Sequence, residues 1–219
     1  MSEIIIMKEL LGENKKIAED NRKAYKKDGV LMVNVMGSPG AGKTTLIKAL
    51  SDELAARGIK SAVIEGDLYS SIDADKFNEN GVKAVEINTC GECHLDAAVI
   101  RGGYDRLDFK NGIVFIENVG NLICPAEFDL GESFKLLCAS VPEGDDKPYK
   151  YVPMFSYPDA VVITKSDLKE AVGFDTENFK AGLSSISDAP VFQVSLKKEA
   201  ETGHISELTD VLVEAFEAV

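Results

Sequence analysis

From residue 30 onward the chain alternates short apolar runs with stretches whose apolar residues recur at threes and fours. That alternation predicts repeated strand–helix–strand units and a parallel sheet. The strands fall at 30–36, 61–64, 82–87, 112–116, 136–141, 160–163 and 191–194, and the helices at 44–57, 71–80, 95–107, 176–185 and 205–217. The polar stretch 142–153 reads as a loop. Ahead of this body, residues 1–27 read as a charged helix in which Met7, Leu10, Leu11, Ile17, Ala18, Ala24 and Tyr25 form a narrow stripe, ended by Asp28-Gly29. A helix this polar is marginal alone and must dock its stripe, on its own domain or on a second subunit. No repeat, low-complexity segment or long linker interrupts the chain. The organisation expected is therefore an N-terminal amphipathic helix, 1–29, and one α/β domain, 30–219, with a mostly parallel seven-stranded sheet flanked by helices.

Charge narrows the partners. The 219 residues carry 24 Lys plus Arg and 37 Asp plus Glu, a net charge of −13, and the near-neutral first 29 residues contribute none of the acidic excess. Such a surface argues against nucleic acid, whose backbone is held by clustered Lys and Arg. A metal ion, a phosphate ligand held with a counter-cation, or a basic protein partner remains open. No run approaches the ~18 apolar residues of a membrane span, and the start MSEIIIMKELLGENKK lacks the features of a signal or transit peptide. The cysteines Cys90, Cys93, Cys124 and Cys138 are too few for a disulfide scaffold. The expectation is a cytoplasmic protein whose thiols bind metal, act chemically or lie buried.

The strongest signal is GSPGAGKT at 37–44, a GxxxxGK[ST] phosphate loop between an apolar strand and an amphipathic helix, the context that motif requires. Gly37, Gly40 and Gly42 let the backbone curl so that the N–H groups of Gly37, Ser38, Pro39-Gly40, Ala41, Gly42 and the helix start surround phosphate oxygens, Pro39 contributing none. Lys43 is placed to reach the β and γ phosphates and the Thr44 hydroxyl to bind Mg²⁺, with Thr45 beside it. The domain is already strongly acidic, so affinity has to come from these donors, from Lys43 and from Mg²⁺.

Two later motifs point to the nucleotide. Glu117 ends the apolar strand GIVFIE, and Gly120 follows three residues later, the positions at which P-loop proteins hold Mg²⁺ and sense the γ phosphate. Thr164-Lys165-Ser166-Asp167 follows another apolar strand and resembles the NKxD guanine motif. The Asp167 carboxylate suits the N1–H and amine of guanine, and the Lys165 stem would cover the base. Thr164 stands in place of the usual Asn and lacks the amide that braces the phosphate loop, which would loosen guanine selectivity. Ser195, Leu196 and Lys197 resemble the SAK loop that backs the base.

A metal site is expected in NTCGECHLDA, where Cys90, Cys93 and His94 fall within five residues, together with Cys124 in GNLICPAEFDLGE. Thiolate and imidazole suit Ni²⁺ or Zn²⁺. On spacing alone, Cys93 and His94 also fit a buried thiol beside a helix-capping histidine. Cys138, inside KLLCASV, reads as a core residue. Cys124 lies a few residues beyond Gly120, so a γ phosphate that pulls on Gly120 would also move a metal ligand.

GSPGAGKT, Glu65-Gly66-Asp67, ECHLDA at 92–97, ENVGNLICPAEFDLGE at 117–132 and TKSD together resemble the HypB-type hydrogenase nickel-incorporation GTPases over nearly the whole chain. The resemblance implies a slow, homodimerising GTPase that binds GTP or GDP with Mg²⁺ and delivers Ni²⁺ to the large-subunit precursor of [NiFe]-hydrogenase, with a zinc-containing HypA-type partner. It implies Lys43, Asp67 and Gly120 as catalytic, Thr44, Asp67 and Glu117 as magnesium residues, and Cys93, His94 and Cys124 as metal ligands. Cys90 replaces the family's usual Gly and is a possible fourth ligand. The family's N-terminal cysteine motif and His-rich stretch are absent from this sequence, which implies a carrier rather than a store. Asn121 stands where an efficient water-positioning Gln would follow Gly120, which fits slow turnover. A urease-type nickel-insertion GTPase, which carries CPH where this chain has CHL, and a zinc-binding interaction module with a structural nucleotide are the alternatives.

Overall fold

The computed structural model describes residues 2–67, 77, 81–89, 94–197 and 204–219, without the side chains of residues 2–10 and 67. Seven strands, β1 (Val30–Gly37), β2 (Ser61–Asp67), β3 (Lys83–Asn88), β4 (Gly112–Glu117), β5 (Phe134–Ser140), β6 (Ala160–Thr164) and β7 (Val191–Gln193), form one sheet in the order β3-β2-β4-β1-β5-β6-β7. Every strand pairing in it is parallel. The strand C-termini therefore share one edge, and β1 sits at its centre, the place where open α/β sheets bind ligands.

Among the described residues five longer helices cover the two faces: α1 (Ser2–Lys27), α2 (Lys43–Ala56), α3 (Ala97–Leu107), α4 (Thr176–Ser184) and α5 (Ile205–Glu217). Strands buried on both faces need no polar alternation, and β1 shows why. Leu31, Val33 and Val35 pack with α2 and α5, while Val30 and Met32 pack with Tyr25 of α1 and Ile100 and Tyr104 of α3. A third cluster, including Leu137, Ile163, Phe155, Phe179 and Leu183, fills the β5–β6 side under α4. Each fully buried side chain of this size contributes ~1.5–3 kcal/mol.

The N-terminal helix docks on its own domain. Ala18 and Tyr25 are completely buried, α1 lies against α3 and β1, and the Tyr25 ring meets Tyr104 edge-on at 4.6 Å. Strands β2 and β4 run on through Asp67 and Glu117, past the last apolar residue, because the parallel ladder continues there. The stretch 142–153 is not a loop throughout. A 3₁₀ turn spans Val141–Glu143, and single helical turns span Lys147–Lys150 and Val152–Phe155. The cause is local: Ser140 and Glu143 form a reciprocal capping box, and Pro142, Pro148 and Pro153 each sit in a first turn. The expected helix at 71–80 lies outside the described residues except for Phe77, which is helical and buried in the α2-side core. Among the described residues no helix is long and apolar enough to cross a membrane.

Candidate functional site

The loop between β1 and α2 turns through Gly40 and Gly42 at φ 72° and 95°, left-handed values that side chains disfavour. Lys43 is the first residue of α2 and is 7% exposed, and its ammonium donates to the carbonyls of Gly37 at 3.4 Å and Ser38 at 3.2 Å. A buried cation is thus held inside the arch, beside the N-terminus of a 14-residue helix. Thr44 Oγ1 donates to Glu117 Oε1 at 2.7 Å, so the structure brings together two of the expected magnesium residues. Asp67 ends β2, two residues beyond Glu65, the register partner of Glu117. Its side chain lies outside the described residues.

Gly120 is pressed against the phosphate loop. A Cβ there would stand 2.8 Å from Pro39 Cα and 2.8 Å from Pro39 N. Asn121 N donates to Gly37 O at 3.2 Å and Asn118 N to Val35 O at 3.1 Å, so the segment after β4 is tied to β1 and the loop at once. Cys124 opens a 3₁₀ turn, Cys124–Ala126, immediately beyond this contact.

A cavity of about 240 Å³ adjoins the loop, lined by Thr45, Lys165, Asp167, Leu168, Leu196 and Lys197 among others. The Lys165 ammonium reaches Gly40 O at 2.6 Å, which lays its stem along this cavity. Asp167 accepts from Lys197 Nζ at 2.6 Å and from Ser195 Oγ at 2.9 Å. The Lys197 and Ser195 contacts hold its carboxyl below the usual carboxylate range, in the ionised, purely accepting form. An apolar slot ending in a fixed carboxylate suits a planar base with two adjacent N–H donors.

Thr164 corrects one expectation. Its hydroxyl is buried and donates to Ala41 O at 2.6 Å, so the missing amide does not leave the phosphate loop unbraced. The shorter side chain does the bracing because Ala41 O comes directly to it; Cys138 Sγ also contacts this carbonyl at 3.3 Å. Burial pushes the Cys138 thiol up to about 12, as expected of a core residue. Thr164→Val removes the hydroxyl at nearly constant volume. The expected result is a loss of about 1–2 kcal/mol in denaturant unfolding, with weaker GDP binding; an unchanged midpoint would show that the bond is not needed.

His94 and Cys124 both line a larger cavity of about 610 Å³, walled on one side by Leu11, Asn14 and Ile17 of α1. The His94 ring stacks on Phe128, centroids 3.9 Å apart at 21°. Cys90 and Cys93 lie outside the described residues. Among the described residues no three His, Cys, Asp or Glu side chains converge as a metal-holding group.

Three features escaped sequence reasoning. Glu143 accepts from Ser38 Oγ at 2.6 Å and from Ser140 Oγ at 2.6 Å, tying the phosphate loop to the end of β5; the S-x-x-E spacing of the capping box was its only trace. A buried polar chain runs from Val119 N to Asn118 Oδ1 (2.9 Å), Asn118 Nδ2 to Asn34 Oδ1 (3.1 Å) and Asn34 Nδ2 to Glu132 Oε1 (3.3 Å). Burial pushes the Glu132 carboxyl up, against the opposing Lys135 charge and the Leu130 N–H. The third is the set of asparagines on α1.

The model of the CobW/HypB/UreG nucleotide-binding domain matches residues 31–193. Among curated proteins, the chain is 39% identical over 201 residues to the hydrogenase/urease maturation factor HypB of Helicobacter pylori, covering 89% of this chain and 82% of that protein. It is 42% identical over 194 residues to a probable hydrogenase maturation factor HypB of Methanocaldococcus jannaschii, covering 88% and 87%. Among solved structures, HypB from H. pylori in complex with nickel superposes with a TM-score of 0.87 at 36% identity over 94% of this chain and 96% of that one. HypB from Archaeoglobus fulgidus superposes with a TM-score of 0.85 at 38% identity over 94% and 99%.

Proposed function

We propose, from the premise that this chain belongs to the CobW/HypB/UreG nucleotide-binding family and within it to the HypB maturation factors, that it is a GTP-hydrolysing nickel carrier for the maturation of [NiFe]-hydrogenase. The observation that carries the reading is the contact of Gly120 with Pro39, with Cys124 four residues further on. A γ phosphate in the loop would border the same segment that leads to the cysteine, which supports linkage between nucleotide state and metal.

In this reading the N–H groups of residues 37–44 and the Lys43 ammonium hold the phosphates, and Thr44, Asp67 and Glu117 hold Mg²⁺. The donor set fits that hard cation: a hydroxyl already hydrogen-bonded to a carboxylate, with a second acidic residue ending the neighbouring strand. Mg²⁺, when bound, neutralises charge developing on the β and γ oxygens. Lys43 would stabilise the same charge, and the Gly120 N–H would position the γ phosphate. Asp67 orients the attacking water. Asp167 selects guanine, Lys165 covers the base and Ser195, Leu196 and Lys197 back it, while Thr45 and Thr164 complete the nucleotide-binding set. Cys93, His94 and Cys124, with Cys90 as a possible fourth, hold Ni²⁺ or Zn²⁺ as cargo, for which thiolate and imidazole are suitable donors. The assembly is a cytoplasmic homodimer served by a HypA-type nickel/zinc accessory protein. The H. pylori relative is named for both hydrogenase and urease, so a urease precursor is the second recipient to test.

The deciding measurement is Ni²⁺ titration of the full chain with GDP and with a non-hydrolysable GTP analogue, with mass followed in solution. The expected outcome is at least a tenfold difference in nickel affinity between the two states, lost in the Cys93→Ala/His94→Ala double variant. Equal affinities in both states would sink the linkage, and nickel binding that survives the double substitution would sink the ligand set.

A further inference from the structure

The two described ligand candidates sit on separate arms. His94 lies three residues before Ala97, the first residue of α3, and Cys124 begins the turn that leads on to Asp129 and Glu132. The N-terminal helix holds both arms. Asn14, 8% exposed, accepts from Ala97 N at 2.8 Å and donates from Nδ2 to Asp129 O at 2.8 Å. Asn21, seven residues on and 1% exposed, donates to Ala97 O at 2.7 Å and to Leu130 O at 3.4 Å. Arg22 adds a 2.7 Å ion pair to Asp129 and a 3.3 Å bond to Glu132 O.

A helix that only needed docking would use its apolar stripe. Burying two amides costs free energy unless their partners are fixed, so they favour one geometry over neighbouring ones. Here the partners are the backbone of the His94 arm on one side and of the Cys124 arm on the other. The same helix also forms the wall, with Leu11, Asn14 and Ile17, of the cavity that His94 and Cys124 line.

We infer that α1 is a staple across the metal site, and that Asn14 and Asn21 are positioning residues that set the spacing between the His94 and Cys124 arms. The inference rests on the reading that His94 and Cys124 hold nickel. It gives the N-terminal helix a role in cargo affinity in addition to its packing. Groups that orient metal ligands from behind typically change affinity ~10–100-fold when removed.

The test uses the full chain with Asn14→Leu, which keeps the branched shape and removes both bonds, and Asn14→Asp, which keeps the acceptor toward Ala97 N and loses the donor toward Asp129 O. Nickel affinity, the thiolate-to-nickel absorption band, GDP affinity and hydrogen exchange at the Ala97 amide are measured on each. The expected result for Asn14→Leu is faster Ala97 exchange, nickel affinity weakened at least ~10-fold with a shifted band, and GDP affinity within twofold of the parent. Asn14→Asp should fall between the two. Wild-type nickel affinity and band in a variant whose Ala97 amide is deprotected would overturn the inference, as would equal losses of nickel and GDP affinity, which mark general destabilisation. His94→Ala separates the layers: if it leaves nickel affinity intact, the ligand reading fails and the staple's metal role with it, whatever Asn14→Leu does.

Discussion

Replacing Lys43 with alanine is expected to lower GTP turnover by about 10²–10³-fold, the cost of removing one preorganised charge-stabilising donor from a water-poor site. Among the described residues, the two lysines beside the base cavity do not substitute for it. Lys165 is committed to Gly40 O and Lys197 to Asp167, each on the base side of the loop. The domain's acidic surface supplies no compensating field. Lys43 is also almost fully buried, with its ammonium already directed by the Gly37 and Ser38 carbonyls, so it pays little entropy when phosphate arrives. Arginine should not restore activity, because a planar guanidinium cannot occupy the arch as a compact point charge. Single-turnover hydrolysis at saturating GTP checks this, with GDP affinity and thermal midpoint measured alongside. Turnover within tenfold of the parent in Lys43→Ala would remove this lysine from the chemistry.

Why some of this was readable in advance and some was not follows from where each signal lives. The sheet is legible because β1, β4, β5 and β6 are buried on both faces and so are written as near-continuous apolar runs. The phosphate loop is a local motif in which spacing alone dictates backbone shape. The bracing by Thr164 is not legible from residue type, because the decisive quantity is the 2.6 Å reach from its hydroxyl to Ala41 O, set by the packing of β6 beside the loop. Asn34, one polar residue inside VLMVNVM, gave no hint that its partners are Asn118 and Glu132, 84 and 98 positions away. Asn14 and Asn21 are seven apart and so share a helix face with Ala18, but polar residues on a charged helix look like solvent-facing ones until the 129–132 segment is seen against them.

Gly120→Ala is expected to reduce GTP hydrolysis by about 10²-fold while leaving GDP affinity within a few-fold of the parent. The added methyl would lie 2.8 Å from two backbone atoms of Pro39, so relief requires moving either the phosphate loop or the segment after β4. Neither yields freely. The segment is tied by Asn118 N to Val35 O and Asn121 N to Gly37 O, and Asn118 is further anchored through Asn34 to the buried Glu132. The phosphate loop is held by Thr164 at Ala41 and by Glu143 at Ser38. Forcing a methyl into such packing costs about 1–3 kcal/mol, a midpoint drop of roughly 2–12 °C for a chain of this size. A displacement near 1 Å at a reacting group costs about 10² in rate. The base pocket and Lys43 are untouched, which is why GDP should still bind. The same substitution also separates two ways of linking nucleotide to nickel. If the linkage runs through this contact, the nickel affinity of the GDP state survives but the ratio of affinities between the GDP and GTP-analogue states collapses toward one. If that ratio stays at its parental value while hydrolysis falls, the γ phosphate influences the metal by a path that does not cross Gly120, and the contact between Pro39 and Gly120 serves hydrolysis alone.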